Sequence, residues 1–68
     1  MIKLKVIKAK LPSYWYSRHI GKTFFAIEHN NDLQHCSEYG VVYRESFELE
    51  DVEILEKNLT FKETKILK

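Results

Sequence analysis

Few side chains in this sequence are equipped for covalent or metal chemistry. There is one cysteine, Cys36, and there are three histidines, His19, His29 and His35. A cysteine nucleophile needs a base within hydrogen-bond reach, and His35 is its immediate neighbour. Adjacent residues on an extended chain point to opposite faces, so the two cannot form a dyad. The His and Cys spacings match no zinc pattern, and no phosphate-cradling glycine loop is present. Carboxylates are plentiful, yet none sits in an apolar context that would raise its pKa for acid–base work. No catalytic residue, no metal site and no cofactor is therefore expected, and the chain does not read as an enzyme. Cys36 reads instead as a small buried hydrophobe. Being single, it cannot close an internal disulfide, which fits a reducing compartment.

Recognition chemistry is better represented. Tyr14, Trp15 and Tyr16 are consecutive, and Tyr39 and Tyr43 follow downstream. Tyr and Trp supply large, rigid contact areas with a polar tip, which makes them frequent anchors of interfaces. Three consecutive aromatics cannot all point inward. Tyr14 and Tyr16 are expected at the surface, while Trp15 either plugs one end of the fold or joins the contact patch. With the neighbouring cations, the expected partner-binding set is Tyr14, Trp15, Tyr16, Arg18, Lys22, Tyr39 and Tyr43. Lys10, Arg18 and Lys22 beside these rings leave open a single-stranded nucleic-acid platform. The near-neutral pI of about 7.9 is low for a dedicated nucleic-acid binder. Six acids between Glu45 and Glu56 could imitate a phosphate backbone, but an ordinary solvated face explains them as well.

The elements that must position these residues are short. At 68 residues, 44% hydrophobic and 31% charged, the chain reads as one folded domain near the lower limit for a self-sufficient core. Residues 2–11 alternate apolar side chains with lysine, but the phase slips between Val6 and Ile7, which predicts a β-bulge that bends the strand. Pro12 ends it, residues 13–22 form an aromatic loop, and Gly21 supplies the turn into a strand over Thr23–Glu28. His29–Asp32 reads as a turn, 33–38 as a weak edge strand and Tyr39–Arg44 as a strong strand. Phe47 and Leu49 continue extended chain, Glu50-Asp51 turns, and Val52–Leu55 is the last strand. Residues 57–68 form an extension that fits a strand or a short helix.

Charge is segregated. Residues 1–25 carry six cations and no acid, whereas 26–56 carry nine acids against Arg44 alone. Either basic and acidic strands pair side by side, or opposite faces orient a partner.

Five short strands with a long first loop predict a mostly β fold, a small barrel over 1–56. The Tyr14-Trp15-Tyr16 … Ile20-Gly21 loop and the late Leu49-Glu50-Asp51-Val52-Glu53-Ile54 segment resemble those of SH3-like barrels, in particular small barrel proteins of phages and prophages of low-GC bacteria. The likeness spans roughly residues 2–55. The acidic proline-binding loop and late Pro-x-x-Tyr element of signalling SH3 domains are missing, so Pro-rich peptide binding is not implied. What the resemblance implies is a five-stranded SH3-like barrel that docks on a protein partner, a host protein whose activity it inhibits or modulates. A self-associating subunit, such as a homodimer joined through an edge strand or the extension, is the further alternative. No apolar run long enough for a membrane span and no secretory leader are visible, so a cytoplasmic location is expected.

Overall fold

A computed structural model describes residues 1–62. Five strands occur: β1 Ile2–Val6, β2 Thr23–His29, β3 Asp32–Cys36, β4 Val42–Phe47 and β5 Val52–Glu56. They form one antiparallel sheet in the order β4-β3-β2-β1-β5. β4 and β5 are its edges, and no ladder joins them. The protein is mostly β, as its alternation predicts.

Local chemistry explains each junction. Asn30 and Asn31 both take positive φ, +48° and +68°, which gives the two-residue turn from β2 to β3. A single 3-10 turn, Leu49–Asp51, links β4 to β5 where the sequence suggested a simple turn. Ile2, Leu4 and Val6 lie on the buried face of β1, where they meet Tyr16, Ala26, Leu33, Phe47 and Val52. Lys3 and Lys5 face the other way and sit opposite Glu56 and Glu53 of β5. Part of the charge segregation is thus resolved inside the sheet by basic and acidic strands lying side by side.

Four expectations need correction. The first strand does not run to Leu11. It stops at Val6, because the amides of both Ile7 and Lys8 turn to donate to the Asp51 carbonyl, at 2.9 and 3.3 Å. The bulge lies elsewhere, since Lys3 faces Glu56 while Leu4 faces Ile54, leaving Leu55 as the extra residue on β5. Residues 33–38 are not an edge, because β3 pairs with both β2 and β4. The strong strand begins three residues later than its apolar run suggested, since Tyr39 and Gly40 form a turn.

Residues 57–62 are irregular chain, neither strand nor helix, and 63–68 lie outside the described residues. Residues 57–62 fold back over the sheet. Leu59 and Met1 exchange backbone hydrogen bonds, the Lys62 amide donates to the Glu38 carbonyl, and Lys62 Nζ reaches Glu38 at 3.1 Å. Phe61 lies over Gly40, where an added Cβ would stand 3.3 Å from the ring. Gly40 and Gly21 both hold φ near +90°, yet nothing crowds Gly21. An alanine at either site meets the same backbone strain, about 1–3 kcal/mol. Gly40→Ala should therefore lower the melting temperature further than Gly21→Ala, and the difference measures the Phe61 contact. Equal shifts would mean that this contact stabilises nothing.

Candidate functional site

The 16 residues between β1 and β2 form a hairpin whose two arms are tied together at base and tip. At the base, Val6 N–H donates to the Lys22 carbonyl and Gly21 N–H to the Val6 carbonyl; near the tip, Ser17 Oγ donates to the Pro12 carbonyl. This hairpin lays its aromatics across the gap beside β4. The Trp15 indole N–H donates to the Ser46 carbonyl at 2.8 Å, and the Glu48 amide donates to the Tyr16 hydroxyl at 3.3 Å. The open side of the sheet is thereby stitched by side chains rather than by a ladder.

The expectation of an exposed Tyr16 is corrected by its surroundings. Its ring is buried, 1% exposed, and its hydroxyl donates to Asp51 Oδ2 at 2.6 Å. Asp51 is fully buried, and the same oxygen accepts from the Lys10 amide at 3.0 Å. Burial, with the carboxylate alongside, pushes the Tyr16 hydroxyl far above its ordinary value. Burial alone would raise the Asp51 pKa. The Tyr16 and Lys10 hydrogen bonds and the charges of Lys8 and Lys10 outweigh it, so the carboxyl titrates below its ordinary range. Tyr16 is thus a structural anchor.

Tyr14 and Trp15 are half-buried. Trp15 stacks on His35, with centroids 5.0 Å apart and planes 18° from parallel, and packs on Phe47 and Phe24. His35 also contacts the Tyr43 ring, with centroids 4.7 Å apart and planes tilted by 51°. His35, which sequence reasoning passed over, is therefore the spacer that joins Trp15 to Tyr43. Gln34 pairs with Ser46 and Cys36 with Val42, so β4 has two more residues than β3 at this point. That irregularity spreads Tyr43, Arg44 and Glu45 around a single histidine. The alternation of Leu33 with His35 on β3 puts the two on one face but does not announce the stack. Burial depresses the His35 pKa, and Glu45, whose carboxylate lies 3.6 Å from Nδ1, only partly offsets this.

Two open hollows flank this stack and share Glu45. The larger, about 520 Å³, is lined by Phe24, Phe25, Tyr43, Cys36, Glu38 and Glu45 among others. The smaller, about 280 Å³, involves Tyr14, Trp15, Arg44, Ser46 and Glu48. Beside them Tyr39, Val41, Val42 and Tyr43 stand 40–59% exposed. Every residue of β4 except Phe47 is exposed. Tyr39 and Tyr43 therefore lie at the surface as expected. Arg18 and Lys22 are also exposed, but they line neither hollow. Cys36 is buried apart from the main core, opposite Phe25 on β2, and burial raises its thiol pKa.

No family model, curated protein or solved structure matches this chain. Its function has to be argued from its own geometry. Among the described residues no three metal-ligating side chains converge, and no helix is long and apolar enough to cross a membrane.

Proposed function

We propose that the chain is a non-catalytic binding module, an SH3-like barrel in which the aromatic hairpin completes the sheet, and that it docks on a protein partner. The observation that carries this reading is the exposed apolar run at the β3–β4 turn, Tyr39, Val41, Val42 and Tyr43, on an edge strand bordered by two hollows. Exposed apolar patches of this kind favour protein contacts, and an edge strand adds unpaired backbone groups to the offer. The strand order, the long β1–β2 hairpin and the 3-10 turn before β5 support the barrel reading. The resemblance to phage and prophage barrels points to a host protein as the partner and to modulation of its activity as the outcome. Tyr14, Trp15, Tyr39 and Tyr43 form the contact set. Arg18 and Lys22 stay outside it.

The nucleic-acid alternative has less support. A base-stacking platform needs rings open on one face. Tyr16 is buried, and Trp15 is stacked on His35 and hydrogen-bonded to Ser46.

A photo-crosslinking residue at position 43 should give discrete protein adducts in host lysate, while the same residue at Glu53, on the far edge strand, should not. Adducts at position 53 alone, or adducts to nucleic acid at position 43, would overturn the reading.

A further inference from the structure

The charge around the larger hollow has a definite sign. Glu38 and Glu45 both line it, and no lysine or arginine does. His35 shares the lining, and burial disfavours its charged form. The remaining lining is aromatic or small: Phe24, Phe25, Tyr43, Cys36, Thr23 and Ser37. Aromatic faces attract cations through the ring quadrupole, and carboxylates do so through charge. The molecule already displays half of this pairing, because the ammonium of its own Lys62 rests on Glu38. Glu45 carries no comparable partner among the described residues: its neighbour is His35 at 3.6 Å, too long for a hydrogen bond.

We infer that the larger hollow receives a lysine or arginine side chain from an extended, positively charged segment of the protein partner, held between Glu45 and the ring of Tyr43. The inference rests on the docking reading above and names the chemistry of what docks. The segment lies along the β4 edge, where Val41 and Val42 offer apolar contact. The cation displaces water from an open hollow and requires no rearrangement of the core.

The test uses the whole chain and three capped octapeptides in which threonine alternates with lysine, glutamate or serine. Binding is read by amide chemical shifts and by the fluorescence of Trp15, the only tryptophan. The lysine peptide should bind, with shifts centred on Tyr43 and Glu45. Glu45→Gln should weaken it about fivefold or more, as expected when one member of a close charge pair is removed. Glu53→Gln removes an acid that lines neither hollow and should leave the affinity unchanged. Equal weakening by both variants would mean generic attraction and overturn the assignment. So would lysine-peptide shifts centred on the hairpin, or failure of the lysine peptide to bind. Binding of the serine peptide at Tyr43 in preference to the lysine peptide would remove the cation but keep the docking face. Crosslinking at position 43 tests that face independently of charge.

Discussion

Tyr16→Phe should lower stability by about 1.5–3 kcal/mol, the range for a hydrogen bond to a charged group. The variant leaves Asp51 buried with the Lys10 amide as its remaining donor. Asp51→Ala should cost at least as much, because it strands the Tyr16 hydroxyl and removes the acceptor for Lys10. The two residues act as one unit, so the double variant should be no worse than about the larger single loss, with a coupling energy on the order of 1–3 kcal/mol. Urea unfolding of the four proteins checks this. Additive losses would mean that the 2.6 Å contact contributes nothing specific.

Four groups set the pH dependence: Asp51 and Tyr16 of this network, and His35 and Cys36 outside it. Asp51 is held below its ordinary value of 3.8, so its stabilisation is complete above that value and is lost as pH falls through the lower folded one. His35 is also depressed, from 6.5, by burial. The unfolded chain takes up that proton first, so stability begins to decline as pH drops below about 6.5. Cys36 is raised from 9.0, by burial, so the unfolded chain releases its proton first and stability falls as pH rises past that point. Tyr16 adds to this loss above 10.0. The urea midpoint should therefore be highest between roughly pH 6.5 and 9, and Cys36→Ala should flatten the first part of the alkaline decline.

Why the sequence misplaced Tyr16 follows from this network. Period-two alternation gives strands and their buried faces, and it located β2 and β5 to within a residue and the start of β1, but not its end at Val6. It carries no information about a hairpin whose arms are joined by turns. A tyrosine there reads as surface unless a buried acceptor is known, and Asp51 read as part of a polar turn. The pairing of Tyr16 with Asp51 spans 35 residues, so no local pattern announces it. That a basic and an acidic strand lie side by side was one of the two readings of the segregated charge, but the Lys3–Glu56 register was not legible, because it depends on the extra residue Leu55 in β5. Nor was the role of His35. It depends on two extra residues in β4, and an irregularity of register leaves no trace in composition. Tyr39 and Tyr43 were named for their residue type alone, and their exposure follows from the Tyr39-Gly40 turn and the edge position of β4.

Trp15→Ala should be close to unfolding. Removing a buried Trp costs about 3–5 kcal/mol, and half-burial of this one places it near 3. A domain of this size has only about 3–5 kcal/mol from its core. At about 4–8 °C per kcal/mol, the melting temperature should fall by at least about 12 °C. Trp15→Phe keeps a ring against His35 and Phe47 but loses the hydrogen bond to Ser46, and should cost about 1 kcal/mol. Circular dichroism melts of both variants decide the matter, and an alanine variant that melts within a few degrees of the parent would show that the hairpin does not hold the open side of the sheet. The distinction governs how binding data must be read. Loss of partner capture by Trp15→Ala reports collapse of the scaffold, whereas Tyr43 is exposed and packs on His35 from outside, so its truncation tests the contact itself. Tyr43 is therefore the clean probe of the docking face, whereas Trp15 also holds His35 and β4 in place behind it.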